Sequence, residues 1–301
     1  MQYLKNFCVA SESSELEFIL SKDSYMLDMS CYSKNNAYPF HIFPQKSLRN
    51  IEFEPITIFY GTNGSGKSTL LNIIAQKLLI SRSAPFNDTP LFPIYLELCS
   101  YNLCDSFDKI PQSSEIITSD GVFDFLLDIR AINNGIDRER SSLFSEYAET
   151  VRDCRENGWQ MRDLDEYEEL CRRMDARKLT KSKYVSKKMS ATPELQTKSN
   201  GESAYLYFTH KIKEKSLYLL DEPENSLSPA LQRELAAFLE ESVRFYGCQL
   251  IISTHSPFLL ALKNAKIYDL DTNPVKVSKW SDLPGVRTYY ELFSSHKNDF
   301  L

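Results

Sequence analysis

Three short apolar runs punctuate the chain, and each ends abruptly in polar residues. Ile56-Thr57-Ile58-Phe59-Tyr60 gives way to a glycine-rich stretch. Ser216-Leu217-Tyr218-Leu219-Leu220 gives way to Asp221-Glu222-Pro223, and Gln249-Leu250-Ile251-Ile252-Ser253 to Thr254-His255-Ser256-Pro257. Short apolar runs without alternation fit strands covered on both faces, as in a parallel sheet. Ligands of such sheets sit beyond the carboxyl ends of the strands, so the three polar termini are expected on one edge. Between the second and third runs the period changes to that of a helix. Leu231, Leu235, Phe238, Leu239 and Val243 share one face, Pro229 suits the first turn, and Gly247 suits the end. The middle of the chain loses strand patterning. Phe123, Leu126, Leu127 and Ile129 begin a helix, and residues 137–169 are dense in Glu, Asp and Arg. The expected organisation is a core at 1–119 and 199–301, with a lobe of hairpin-like helices inserted at 120–198.

The glycine-rich stretch reads Gly61-Thr62-Asn63-Gly64-Ser65-Gly66-Lys67-Ser68-Thr69, and the helical pattern Leu70-Leu71-Asn72-Ile73-Ile74-Ala75 follows it. This is a G-x-x-x-x-G-K-[ST] phosphate loop in the strand-to-helix context that gives the pattern meaning. Its backbone N–H groups and the helix N-terminus suit a polyphosphate. The expected binding residues are Gly61, Asn63, Gly64, Ser65, Gly66, Lys67, Ser68 and Thr69. Lys67 reaches for the β/γ-phosphates, and Ser68 is placed to hold Mg²⁺. Asp221 is expected to share that metal. Glu222 is placed to orient or deprotonate an attacking water, and His255 to touch the γ-phosphate or that water. Ser199-Asn200-Gly201-Glu202-Ser203 reads either as a capping box, with Ser199 capping and Glu202 closing it, or as an anion site, and both readings can hold.

Composition narrows the function class. The 301 residues are 42% hydrophobic and 25% charged, with a net charge of −6, as in an ordinary globular protein. That balance argues against a protein that coats nucleic acid as a whole. A local exception is the basic stretch Arg172, Arg173, Arg177, Lys178, Lys181, Lys183, Lys187, Lys188 and Lys198, opposed only by Asp175 and Glu194. It could track the phosphates of DNA or RNA. Equally, it could be a solvated face balancing the acidic residues before it. No apolar run approaches membrane-spanning length. The first residues lack a signal peptide's apolar centre, so a cytoplasmic location is expected. The seven scattered cysteines suggest reduced, buried thiols rather than a zinc site.

In their order along the chain these elements resemble the ATP-binding-cassette (ABC) ATPases. Ser199-Asn200-Gly201-Glu202-Ser203 looks like that superfamily's signature motif, and Asp221-Glu222-Pro223 like Walker B with its catalytic glutamate. Asn225-Ser226-Leu227-Ser228-Pro229 looks like the D-loop, and Thr254-His255-Ser256-Pro257 like the switch-histidine loop. The runs Tyr218–Pro229 and Ser253–Leu260 are similar to those of stand-alone, soluble bacterial "predicted AAA family ATPases" of genome maintenance and defence, as is the stretch from Ile117 to Ile136. The resemblance implies an α/β P-loop fold with a mostly parallel sheet, ATP and Mg²⁺ as cofactors, and ATP hydrolysis. It also implies an ATP-dependent homodimer in which signature residues Ser199, Gly201 and Glu202 complete the other subunit's site, acting with a partner effector protein. The alternative is a nucleic-acid-binding module that ATP regulates. Two departures, Ser-Asn-Gly-Glu-Ser in the signature and Ser228 in the D-loop, argue against a transporter's ATPase subunit. Asp120 or Gln112 is the candidate for the Q-loop position, and Tyr38 or Phe40 for the aromatic that stacks on adenine.

Overall fold

The structure is a computed structural model that describes residues 1–20, 38–156, 168, 171, 173–175, 183–185 and 199–300. In chain order it begins with β1 (Leu4–Cys8), α1 (Glu12–Leu20), β2 (Asn50–Glu52), β3 (Ile56–Tyr60), α2 (Lys67–Lys77), β4 (Ser81–Arg82), α3 (Phe92–Glu97), β5 (Ser100–Leu103) and β6 (Glu115–Thr118). It continues with α4 (Ser119–Glu156), α5 (Asn200–Lys211), β7 (Leu217–Asp221), α6 (Pro229–Phe245), β8 (Gln249–Ser253), α7 (Pro257–Leu260), β9 (Lys266–Asp269), β10 (Lys276–Ser278) and α8 (Pro284–Ser295). Two compact units emerge, Met1–Phe123 with Asn200–Leu301, and Asp124–Ser199.

The larger unit holds a 7-stranded sheet in the order β10-β9-β3-β8-β7-β6-β4, with the antiparallel sheet β2-β1-β5 beside it. All pairs in the large sheet are parallel except the β9–β10 edge. The three apolar runs form its centre, and β3 and β8 are buried at every residue. That explains why they carry no alternation: both faces are covered. Leu70, Leu71, Ile73 and Ile74 of α2 pack with Phe59, Leu219 and Ile251 in the principal core. Each such aliphatic side chain contributes roughly 2 kcal/mol of burial. One boundary differs from the sequence reading by a residue. β7 ends on Asp221 rather than Leu220, because Asp221 still pairs with Ser253 across the ladder.

Helix α6 follows its expected signals. Ser228 is the N-cap and accepts from the Leu231 N–H, Pro229 occupies the first turn, and Gly247 at φ 66 follows the end. Its buried face is narrower than the pattern suggested. Leu235 and Leu239 are buried with Ser242, whereas Leu231, Phe238 and Val243 are half-buried. Ser242 is tolerated there because its hydroxyl donates to the Phe238 carbonyl at 2.8 Å. The thiols also differ from expectation. Cys99 and Cys248 are buried, but Cys8, Cys104 and Cys171 are half-buried, and these five are free. Burial pushes the Cys99 thiol up to about 12, which makes it inert.

In the smaller unit the long helix α4 carries Leu143, Phe144, Tyr147 and Val151, which pack on buried Tyr184 and Val185. The Tyr184 hydroxyl donates to Glu146 at 3.1 Å. Of the basic stretch, Arg172, Arg177, Lys178, Lys181, Lys187, Lys188 and Lys198 lie outside the described residues. Arg173 is paired with Asp153, and Lys183 is exposed. No described helix is long and apolar enough to cross a membrane.

A buried amide helps to join the two sheets. Gln249 at the start of β8 accepts the Tyr3 and Leu4 N–H groups, both at 2.8 Å, and donates to the Leu4 carbonyl at 2.9 Å and the Glu54 carbonyl at 3.3 Å. Every hydrogen-bonding position of the side chain is thereby used. Gln249→Leu would strand these backbone groups away from water at about 1–3 kcal/mol apiece. The expected outcome is a loss of about 3 kcal/mol or more in urea unfolding; a loss below 1 kcal/mol, read on the same approximate scale, would contradict this role.

Candidate functional site

The parallel register sets the height at which each loop leaves the sheet. Phe59 pairs with Ser253, Ser253 with Asp221, and Asp221 with Thr118. The segments after β3, β7 and β8 therefore start level, on the carboxyl edge of the sheet, as the sequence anticipated.

After β3 the chain enters the glycine-rich loop. Gly64 and Gly66 take φ values of 82 and 96, in the left-handed region where a side chain is strained. Gly61 is needed for a different reason: a Cβ there would lie 2.5 Å from Ser65 Oγ. Lys67 opens α2 yet is only 4% exposed. Its ammonium donates to the Gly61 carbonyl at 2.8 Å and the Thr62 carbonyl at 3.3 Å. Burial lowers its pKa, while Glu222, Asp221, Asp271 and Glu224 oppose that shift. Asn63, Gly64, Gly66, Lys67, Ser68 and Thr69 line a cavity of roughly 470 Å³ together with Glu222 and Ile42. Ser65 Oγ is buried without a protein partner. A helix N-terminus, a buried ammonium and an unpartnered hydroxyl fit a polyphosphate.

Asp221 stands at the bottom of this arrangement. Its Oδ1 accepts from Ser68 Oγ at 3.0 Å and from Ser253 Oγ. Burial raises its pKa, and the two hydroxyls only partly offset this. A half-buried carboxylate beside a hydroxyl is a hard-oxygen donor pair that suits Mg²⁺. No group of three or more acidic, His or Cys side chains among the described residues makes a complete metal site without further oxygen donors.

Glu222, which lines the cavity, stands between Lys67 and His255. Glu222 Oε1 lies 3.8 Å from Lys67 Nζ and 3.4 Å from His255 Nε2. The second approach lacks hydrogen-bond geometry, and His255 Nε2 is buried without a partner. Glu222 Oε2 accepts from Asn225 Nδ2 at 3.2 Å. The Glu222 backbone has φ 48, a conformation that costs an ordinary residue about 1 kcal/mol. It is held by bonds from its N–H to the Ser253 carbonyl at 3.0 Å and Ser253 Oγ at 3.3 Å. Strain of this kind is characteristic of functional turns.

Two carboxylates here escaped the sequence reading. Glu224 Oε1 accepts from Thr254 Oγ1, His255 N and Ser256 N. Asp271 clamps the start of the phosphate loop, accepting from Thr62 N at 2.8 Å and Thr62 Oγ1 at 3.0 Å. The signal for the first was a third acid in Asp221-Glu222-Pro223-Glu224. For the second it was the short stretch Lys266–Asp269, which forms β9 beside β3 and runs on through Leu270 into Asp271.

Other candidates lie elsewhere. Gly201, in the first turn of α5, packs on the turn before α6: a Cβ would come within 2.9 Å of Leu231 Cδ1 and 3.2 Å of the Ser226 carbonyl. Gly201 and Glu202 do not line the phosphate-loop cavity. Ser199 immediately precedes α5 and belongs to the smaller unit. Asp120 and Gln112 do not line that cavity either. Phe40 is excluded as a stacking aromatic, being buried against Tyr95 and Phe18. Tyr38 is half-buried, with its hydroxyl donating to Thr69 Oγ1 at 3.3 Å. A larger groove of roughly 880 Å³ between α6, α7 and α8 is lined by Phe258, Trp280, Tyr289 and Phe293 among others. Its lining is mainly aromatic and aliphatic, with Gln232, Arg233 and Glu240 as its polar members and no phosphate loop beside it.

Residues 117–261, a little under half of the chain, match the family described as "AAA domain, putative AbiEii toxin, Type IV TA system". No curated protein matches the chain. Among solved structures it is similar to "SMC head domain from Thermotoga maritima", with 14% identity, 93% of this chain and 99% of that chain covered, and a TM-score of 0.39. It is also similar to "An inward-facing conformation of a putative metal-chelate type ABC transporter", at 18% identity, 82% coverage of both chains and a TM-score of 0.36. A likeness this distant says nothing of activity. The matched stretch supplies β7, α6, β8 and their acidic and histidine-bearing ends, and the phosphate loop precedes it on β3. The chain thus combines a match to this AAA-domain family over residues 117–261 with a phosphate loop after β3 and a mostly parallel α/β core.

Proposed function

We propose that this protein hydrolyses ATP with Mg²⁺ and uses the cycle as an ATP-dependent dimerising switch. The observation that carries the reading is the convergence of Lys67, Ser68, Asp221, Glu222 and His255 at one sheet edge. In this reading Lys67 and the loop amides bind the β/γ-phosphates, and Ser68 and Asp221 hold the metal. Glu222 orients or deprotonates the water, with His255 beside it. The second subunit contributes Ser199, Gly201 and Glu202. The turn against which Gly201 packs begins at Glu222, so a subunit approaching that face would bear on the hydrolytic residues. The matched family's description names a toxin–antitoxin system, which supports a cytoplasmic role in defence or genome maintenance with a partner effector.

Lys67→Ala removes a buried cation, and ATP affinity is expected to fall roughly a hundredfold or more. Titration with a fluorescent ATP analogue measures this, and unchanged affinity would refute the phosphate-site assignment.

Glu222→Gln keeps the shape but not the base. It is expected to bind ATP normally while turnover falls by about 10²–10⁴. Light scattering should find this variant dimeric with ATP and Mg²⁺; a monomer under those conditions would sink the switch while leaving hydrolysis standing.

Asp221→Asn tests the metal carboxylate through pH. Because the folded pKa of Asp221 is raised, its contribution to stability is fully present below the unfolded value and is lost as pH rises through the folded one. The nucleotide-free Asn variant should therefore melt higher than wild type at alkaline pH, with the gap closing as pH falls. Its ATPase should show a greatly weakened Mg²⁺ response. A gap that widens on acidification would contradict the assignment.

A further inference from the structure

We propose that Glu224 is the positioning residue for His255: a carboxylate latch that fixes the histidine loop to the turn bearing Glu222. The proposal rests on the hydrolytic reading above and deepens it. Three donors from consecutive residues converge on the single atom Glu224 Oε1: Thr254 Oγ1 at 2.7 Å, His255 N at 2.6 Å and Ser256 N at 3.1 Å. The other oxygen, Oε2, is buried and has no partner. The carboxylate is thus spent on the loop, and nothing in its contacts points to a structural job elsewhere. Its desolvation raises the pKa, against which these donors pull.

The flanking residues have second anchors, and His255 depends on Glu224. Thr254 N–H donates to the Phe59 carbonyl at 3.2 Å. Ser256 Oγ donates to Gln232 Oε1 at 2.7 Å. The His255 amide is held by Glu224. At the other end of the latch, Asn225 N–H donates to the Glu222 carbonyl at 3.1 Å, and Asn225 Nδ2 donates to Glu222 Oε2. Glu222 and Glu224 therefore share one closed turn. The latch sets the 3.4 Å approach of His255 Nε2 to Glu222 Oε1 without touching either side chain's reacting atoms. It also gives a route for coupling, since displacing residues 222–228 pulls on the His255 backbone through Oε1.

The test compares Glu224→Ala, Glu224→Gln and Thr254→Val in the full chain, reading ATP affinity, single-turnover hydrolysis and amide hydrogen exchange at His255. Glu224→Ala is expected to hold ATP within about twofold of wild type, while hydrolysis falls about 10²-fold, the cost of a small misplacement. Exchange at His255 N–H should accelerate at least about tenfold. Glu224→Gln keeps an acceptor oxygen and should recover hydrolysis to within about tenfold of wild type. Thr254→Val removes one of the three donors and should fall between; if Glu224→Ala does not fold, this variant and the Gln variant decide. Wild-type hydrolysis in Glu224→Ala or Thr254→Val overturns the proposal, as does a Gln variant no better than Ala. Loss of ATP affinity in step with hydrolysis also overturns it, since that marks general support of the site. A wild-type protein that binds ATP but never turns it over refutes the hydrolytic reading instead. The two failures are told apart by His255 exchange, which only a failed latch leaves unchanged in Glu224→Ala.

Discussion

The flush ends of the three central strands are the constraint on which the candidate site depends. Phe59, Ser253 and Asp221 stand level across β3, β8 and β7 because parallel ladders repeat evenly and admit no slip where both faces are buried. A shift of one residue in any of them would turn its side chains to the opposite face of the sheet. The level ends let Ser253 serve two neighbours. Its hydroxyl donates to Asp221, and its carbonyl receives the strained Glu222 N–H. Sheet register, the Asp221 carboxylate and the Glu222 turn are thus one connected arrangement.

Electrostatics explain why that arrangement asks for a cation. Asp221, Glu222, Glu224 and Asp271 all act on a single buried ammonium, Lys67. Burial pushes Asp221 and Glu224 towards the neutral, protonated form, and in its ionised form the cluster would repel a triphosphate. A divalent ion beside Ser68 and Asp221 would reconcile the surplus of carboxylate with an anionic ligand. The two acids missed in the sequence have separate work: Asp271 fixes the entrance of the phosphate loop, and Glu224 fixes the histidine loop.

Ser228 and Gly201, at the two segments that flank the Glu222 turn, have local explanations. Ser228, where transporters carry aspartate, caps α6, a task that either residue performs well. Gly201 allows α5 to approach the Ser226 carbonyl and Leu231 more closely than any side chain would permit. Its glycine character therefore has a cause within one subunit, apart from any contact with a second.

The phosphate loop, the three buried strands and the capped helix α6 were legible in the sequence, because each rests on local chemistry. A left-handed glycine, a proline in a first helical turn and an apolar run ending in acids declare themselves within a few residues. The antiparallel sheet and the short strands β4, β6, β9 and β10 were not legible, since brief strands become strands only by pairing. The exclusion of Phe40 likewise came from its packing against Tyr95 and Phe18, which its composition does not announce. Gln249 looked like the ordinary start of a strand and proved to be an amide that helps to join two sheets. Glu224 looked like one more acid in a turn, yet it holds a loop about thirty positions away in the chain, within reach only because parallel pairing sets β7 beside β8. Sequence determined which residues can bind phosphate and metal, through their own functional groups. Tertiary structure decided which of them meet, because hydrogen bonds act over a few ångströms and only the folded ladder brings those ends together.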